Sequence, residues 1–322
     1  MGATMARTKY SLAVAAALIL GLLHLPGGAH ATSTTTTIGG RAAHENLRVL
    51  TYNTCLNDRC RKAYRLKPHG SRLGGIYRKA VNRNSGKKRA DIVVLQETDW
   101  RVVGAEGRKL TKAFPGYKIA SKRDGRWILY RAAKLTAFNA GYVNVAGPGQ
   151  EEKAFPWAQF ASRRHSRNKV TVIDVHFASR SDKAAQKAEI RRLAQRLPDQ
   201  LPLGARTIFA GDFNILRGEP NARLFRSSLA RLVGGLSDPT PRHKRTNTLK
   251  PKDRPKIPYS PRAGKPIDHL YVGGGLGVVR ALRYGDRGEK RVANKRAERR
   301  RWNKLVPRRR SDHNAVSALL RW

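Results

Sequence analysis

Seven short apolar runs set the pattern of the chain: Leu47–Thr54 (LRVLTYNT), Asp91–Gln96 (DIVVLQ), Trp127–Tyr130, Val170–Phe177 (VTVIDVHF), Thr207–Ala210, Ile267–Val272 and Ala315–Leu320. Each has the length of a strand, and several are apolar on both faces, as expected of central strands covered by other layers. Helical patterns lie between them. The clearest is Asp182–Leu197, where Ile190, Leu193, Ala194 and Leu197 follow i, i+3, i+4, i+7 spacing and Pro198 is expected to end the run. Leu73–Asn82 and Ala222–Leu232 are weaker helix candidates. Strands mixed with helices, and no internal repeat, argue for one α/β or α+β domain with a layered sheet core. With 322 residues, 40% of them hydrophobic, the chain can bury such a core, which excludes a wholly disordered polycation.

The N-terminus reads differently. Arg7 and Lys9 precede an apolar stretch from Ser11 to Leu25, and Ala29-His30-Ala31 has the small-x-small form of a cleavage site. Residues 1–31 are therefore expected to be a secretory signal peptide cleaved after Ala31. The alternative is a retained anchor, although the apolar stretch is shorter than the roughly 20 residues that span a bilayer. Residues 32–46, with TSTTTT and then Gly39-Gly40, read as a flexible tether, and the folded domain is expected over residues 47–322. Export makes a Cys55–Cys60 disulfide plausible, with two reduced thiols as the alternative. Two soft ligands are too few for a structural zinc site.

The charge is extreme: 66 Lys+Arg against 22 Asp+Glu, a formal +44. Anionic partners follow, whether nucleic acid, an anionic membrane surface or polyphosphate. Three stretches concentrate the cations. Arg59–Arg89 holds 12 Lys/Arg and no acid, Arg242–Lys265 holds nine against Asp253 alone, and Arg287–Arg310 holds 12 against Glu289 and Glu298. Solvated loops would look the same, but each stretch adjoins a polar cluster at the end of an apolar run.

Those clusters are informative because charged and amide groups are costly to bury without partners. LRVLTYNT delivers Asn53, DIVVLQE delivers Glu97, VTVIDVH delivers His176, and TIFAGDFN delivers Asp212 and Asn214. Asp268 opens IDHLYV, and Asp312-His313 opens SDHNAVSALL. If the last two strands run opposite to the first four, all of these residues share one sheet edge. Oxygen-rich sets of this kind suit Mg²⁺, with Mn²⁺ or Ca²⁺ as alternates, and no organic cofactor is called for.

Singly, each motif has a bland reading as a turn former or a satisfied structural histidine. Together, the order YNT … QET … DVHF … GDFN … IDH … SDH resembles the endonuclease/exonuclease/phosphatase superfamily, from about Leu47 to the C-terminus. The resemblance implies a deoxyribonuclease I-like α+β fold, a four-layered α/β sandwich in which two packed mixed β-sheets are flanked by helices. It also implies roles. Asn53, Glu97 and Asp312 match metal-site residues, with Glu97 the principal carboxylate ligand. His176 matches a histidine that donates to a phosphate oxygen. Asp212 and Asn214 match the pair that positions the nucleophile and the scissile phosphate, and His313 matches the catalytic histidine, hydrogen-bonded by Asp268. His269 stands where the family often has Tyr, a position expected to point away from Asp268 along the strand. Asp124 is a weak candidate for orienting His176.

The superfamily includes nucleases, lipid phosphodiesterases and phosphatases, so fold does not settle substrate. Charge favours a low-specificity nuclease drawn to a polyanion through counterion release. Trp302 and Tyr64, inside basic stretches, could stack on bases or anchor loops to the core. The rival within the fold is a sphingomyelinase- or phospholipase C-like enzyme, which should expose apolar loop tips. A phosphatase for small phosphates ranks third. Outside enzymes, a secreted cationic nucleic-acid-binding protein would not need the metal and histidine set.

Overall fold

In a computed structural model of the protein, the apolar runs become strands of two six-stranded mixed sheets. The structure describes residues 45–56, 73, 74, 77, 89–104, 106–149, 152–201, 206–240, 267–284, 313 and 315–322. These all belong to one compact unit, Ala43–Trp322. In chain order the elements are β1 (Asn46–Asn53), β2 (Ile92–Gln96), α1 (Trp100–Val103), α2 (Arg108–Ala113), β3 (Tyr117–Arg123), β4 (Arg126–Arg131), β5 (Leu135–Asn144) and β6 (Ala154–Ser162). They continue with β7 (Lys169–His176), α3 (Lys183–Gln200), β8 (Arg206–Asp212), α4 (Pro220–Ala230), β9 (Leu236–Ser237), β10 (Asp268–Gly273), β11 (Gly277–Tyr284) and β12 (Ala315–Arg321). The first sheet runs β11-β12-β1-β2-β4-β3 and the second β5-β6-β7-β8-β10-β9.

The two sheets pack face to face because their central strands alternate apolar side chains toward each other. Val49, Ile92, Val94, Val316 and Ala318 of the first sheet meet Phe160, Val172, Ile208, Ala210 and Leu270 of the second. The opposite faces are apolar too, so each needs another layer. Helices α3 and α4 bury Ile190, Leu193, Leu197, Phe225 and Leu229 against Ile173, Phe209 and Tyr271 of the second sheet. On the first sheet, Leu73, Val103, Leu110 and Phe114 cover Leu50, Val93, Leu95 and Leu129. The result is the expected four-layered sandwich. Among the described residues, no helix is long and apolar enough to cross a membrane.

All seven apolar runs are strands within one or two residues of their expected ends. The strands without a clear signal in the sequence are mostly at the sheet edges. β3, β5, β9 and β11 are the terminal strands of the two sheets; exposed edges carry charges and broken patterns that avoid further pairing. β6 is central but contains Pro156, which cannot donate to a ladder. Its pairing with β7 runs only from Trp157 to Ala161, which leaves Pro156 just outside. Pro198 does not end helix α3, which continues to Gln200. A proline in the last turn deprives only one nearby carbonyl of its donor, while continuing the helix keeps Leu197 and Leu201 buried in the core. Of the Leu73–Asn82 candidate, residues 73, 74 and 77 are helical and the rest lies outside the described residues.

One glycine is dictated by proximity. At Gly211, in β8, an added Cβ would sit 1.8 Å from the Val175 carbonyl oxygen of β7. No side chain fits between these strands immediately before Asp212. Gly211→Ala is expected to destabilise the protein by about 3 kcal/mol, the upper range for overpacking a core. A leftward shift of the urea unfolding midpoint with unchanged slope would show it; an unshifted midpoint would refute the packing argument.

Candidate active site

Strand direction gathers the polar residues. β1 and β2 are parallel and β12 is antiparallel to β1. In the second sheet β7 and β8 are parallel and β10 is antiparallel to β8. The C-terminal ends of β1, β2, β7 and β8 therefore share an edge with the starts of β10 and β12. Register then aligns individual residues: His176 pairs with Asp212, and Asp212 with Asp268, across three adjacent strands.

At this edge Asn53 Nδ2 donates to Glu97 Oε1 at 2.9 Å and to Asp212 Oδ2 at 3.0 Å, joining the two sheets. Its Oδ1 accepts from the Cys55 backbone N–H at 3.1 Å, which turns the amide hydrogens toward the carboxylates. His176 Nε2 stands 3.7 Å from Asp212 Oδ2 and 4.0 Å from Glu97 Oε1. His313 Nδ1 lies 3.0 Å from Asp268 Oδ2, and its Nε2 faces Asp212 Oδ2 at 3.7 Å. The Asn214 backbone N–H donates to Asp212 Oδ1 at 2.9 Å, and its side-chain Nδ2 donates to the Phe177 carbonyl at 3.2 Å. Asn53, Asp212, Asp268 and His313 are fully buried, whereas the His176 and Glu97 side chains stay partly open to solvent, at 22% and 12% exposure.

The backbone is strained here. Cys55, Glu97 and Asn214 all have φ near +50°, a left-handed region that non-glycine residues adopt at a cost and that clusters at functional sites. Asp312 and Cys60 lie outside the described residues. Asp124 does not serve His176 among the contacts described: its Oδ2 accepts from the Ala154 backbone N–H and pairs with Arg126, pinning the β3–β4 turn to β6.

Among the described residues, two sets of side chains could hold a cation. Ligand atoms of Glu97, His176 and Asp212, and separately those of Asp212, Asp268 and His313, lie within 4.8 Å of one another. The second set is wholly buried and its Asp268 is engaged by His313. The first opens to solvent and is the better fit for a hard cation with oxygen ligands. Asn53 lies beside this set, its Nδ2 bridging the Glu97 and Asp212 carboxylates.

Several participants carried no signal as motifs. Below the site, Gln96 Nε2 of β2 donates to Asp174 Oδ1 of β7 at 2.8 Å, a second link between the sheets. Burial pushes the Asp174 carboxyl well above the usual carboxylate range, against the Gln96 hydrogen bond and the charge of Arg126. Asp174 was visible as the lone acid inside an apolar run, and Gln186 as a polar residue in line with Ile190 and Leu193 on the buried stripe of α3. His269 does face away from the Asp268 side, but it is fully buried and bonded. Its Nε2 lies 3.0 Å from the Ile215 carbonyl and its Nδ1 3.2 Å from Asp238 Oδ2, which also accepts from Arg217 Nε at 2.7 Å.

Burial alone would raise the Asp238 carboxyl, but His269, then Arg217 and Thr240, outweigh it and hold it far below the usual range. A depressed carboxylate contributes stability above its unfolded pKa of about 4 and loses it as pH falls toward the folded value. Asp238→Asn is therefore expected to cost about 3 kcal/mol at neutral pH. That difference from wild type should shrink steadily below about pH 4. Urea titrations at a series of pH values check this, and a pH-independent difference would contradict the assignment.

Comparison with known proteins agrees with this geometry. A family profile described as "Endonuclease/Exonuclease/phosphatase family" matches residues 50–313. A structure of an endonuclease/exonuclease/phosphatase family protein from Bacteroides thetaiotaomicron superposes with TM-score 0.58 at 17% identity, covering 87% of this chain and 98% of that one. A mannosyl-6-phosphatase from the same organism gives 0.58 at 18% identity, over 85% and 99% of the two chains. D. rerio TDP2 complexed with a single-strand DNA product gives 0.56 at 16% identity, over 86% and 99%. No curated protein sequence matches the chain.

Proposed function

Because the chain belongs to the endonuclease/exonuclease/phosphatase family, we propose that it is a secreted, divalent-metal-dependent phosphodiesterase acting on nucleic acid as a low-specificity endonuclease. The observation that carries the substrate reading is where the cations enter the fold. The Arg242–Lys265 stretch leads within three residues to Asp268, and the Arg287–Arg310 stretch leads within three residues to His313. Both residues stand at the catalytic edge, so a polyanion attracted to these stretches is drawn to the reacting groups. The neighbour complexed with single-strand DNA product shows that the fold can take such a ligand.

A Mg²⁺ ion, or Mn²⁺ or Ca²⁺ in its place, held by Glu97 and Asp212, with Asp312, next to His313 in the sequence, as a further carboxylate, would supply Lewis-acid and templating chemistry. The protein supplies the rest. Asp268 holds His313 Nδ1, fixing the imidazole so that Nε2 faces Asp212. Asp212 and His313 then act as a coupled pair that receives the proton of the attacking water. His176 and Asn214 are placed to donate to the phosphoryl oxygens as charge develops. The deep burial of the Asp268–His313 pair keeps competing water from its hydrogen bonds. Secretion with removal of residues 1–31, and a Cys55–Cys60 disulfide, belong to the same proposal.

Plasmid DNA incubated with the mature protein should be nicked with Mg²⁺ and spared with EDTA, and nicking should weaken steeply as salt rises. Asp268→Asn should lower turnover about 100- to 10,000-fold with little change in DNA retention. Parallel assays on sphingomyelin and a sugar phosphate discriminate the alternatives. Cleavage of those substrates without DNA nicking would overturn the nuclease reading, as would salt-sensitive DNA retention without any hydrolysis. N-terminal sequencing of protein recovered from culture medium should begin at Thr32, with no titratable thiol.

A further inference from the structure

The loop after β8 is held from outside the catalytic set. Asn214 sits at φ +51°, and the carbonyls of Asn214 and Ile215 are each bonded by a different buried side chain. Gln186 Nε2 of α3 donates to the Asn214 carbonyl at 2.9 Å. His269 of β10 engages the Ile215 carbonyl from the other side at 3.0 Å.

Gln186 does more than hold this loop. The same Nε2 reaches the Ala178 carbonyl at 3.1 Å and the Ser179 carbonyl at 3.3 Å, in the loop that follows His176. Its orientation is determined by its neighbours. Asn221 Nδ2 donates to the Lys183 carbonyl at 3.0 Å, an acceptor without ambiguity, and to Gln186 Oε1 at 3.1 Å. Gln186 Oε1 is therefore the accepting end and its NH₂ must face the loops. One turn along the helix, Glu189 Oε2 accepts the Ala178 N–H at 2.8 Å, while its Oε1 is paired with Lys153 at 2.7 Å. Both backbone polar groups of Ala178 thus end on α3.

We propose that Gln186 is a positioning residue for the reaction: its fully buried amide ties the loop after His176 to the loop carrying Asn214, and so sets the spacing of the two donors that face the scissile phosphate. His269 supports it by holding the next carbonyl. Neither touches the reacting atoms; they act through the left-handed Asn214 and through Ala178. A misplacement of such groups by about 1 Å can cost about 100-fold in rate. The catalytic part of this proposal rests on the phosphodiesterase reading above, whereas the tethering part does not.

The test is Gln186→Met, which keeps volume and removes every donor, with Gln186→Asn as the second variant should the first fail to fold. Amide hydrogen exchange is read over residues 177–180 and 211–217, together with the global unfolding midpoint. Steady-state hydrolysis of plasmid and of a chromogenic phosphodiester is measured in wild-type and Asn214→Ala backgrounds. Expected are faster exchange confined to the two loops and a kcat about 100-fold lower with KM within about threefold. In the Asn214→Ala background the further loss of kcat should be clearly smaller, leaving only the part that runs through Ala178 and the loop after His176. Equal losses in both backgrounds would overturn the positioning role, as would unchanged kcat. Should wild type hydrolyse neither substrate, the function reading fails and exchange alone decides the tether: acceleration in both loops supports it, and unchanged exchange overturns it.

Discussion

A single carboxamide stands where the two sheets must agree. Asn53 Nδ2, held by Glu97 beside it on the first sheet, also bonds Asp212 of the second, and this second contact is lost if the sheets slide or part by more than a fraction of a hydrogen-bond length. The apolar layer between the sheets supplies attraction but little direction, since dispersion and burial are insensitive to small translations. The directional restraint comes from polar groups: Asn53 at the edge, and the Gln96–Asp174 hydrogen bond one layer deeper. Buried polar groups of this kind are costly if left unsatisfied, so they favour one stacking of the sheets over its near neighbours. The arrangement of Glu97, His176, Asp212 and His313 inherits its spacing from links of this kind, with Asp124 and Arg126 bonding Ala154 of β6 as a further one.

Much of this was legible in the amino-acid sequence, for an identifiable reason. Central strands buried on both faces must be written as continuous apolar runs, and a polar residue at the end of such a run stands out. That rule brought out Asn53, Glu97, His176, Asp212 and Asp268, and the antiparallel placing of β10 and β12 was the condition under which they converge. Edge strands obey no such rule. Leu135–Asn144 mixes exposed and buried residues along its length, and its identity depends on β6 beside it rather than on its own composition. What Gln186, Asp238 and His269 do was illegible for a different reason. Their significance lies in which backbone carbonyl or charged partner they meet, and those partners are tens of residues away in the chain.

The polar clusters outside the reacting groups share a design. Gln186 and Glu189 on one side and His269 on the other bond main-chain atoms of the loops after β7 and β8, while Asn221 and the Asp238–Arg217 pair hold Gln186 and His269 in place. Left-handed residues such as Glu97 and Asn214 persist only where the surroundings over-determine them. Helices α3 and α4 therefore contribute more than apolar cover for the second sheet: they fix the path of the loops after β7 and β8, the second of which carries the left-handed Asn214.

β12, the last strand in the sequence, lies between β11 and β1 inside the first sheet, and His313 stands two residues before it. Asp268 and Asp212 wait on the opposite sheet for that residue to arrive. Synthesis runs from the N-terminus, so a chain grown short of residue 313 lacks the imidazole, and one in which β12 has not yet inserted has Asp268 without its partner. An incomplete sheet is therefore an incomplete site: the buried Asp268–His313 pair forms only once β12 lies between β11 and β1.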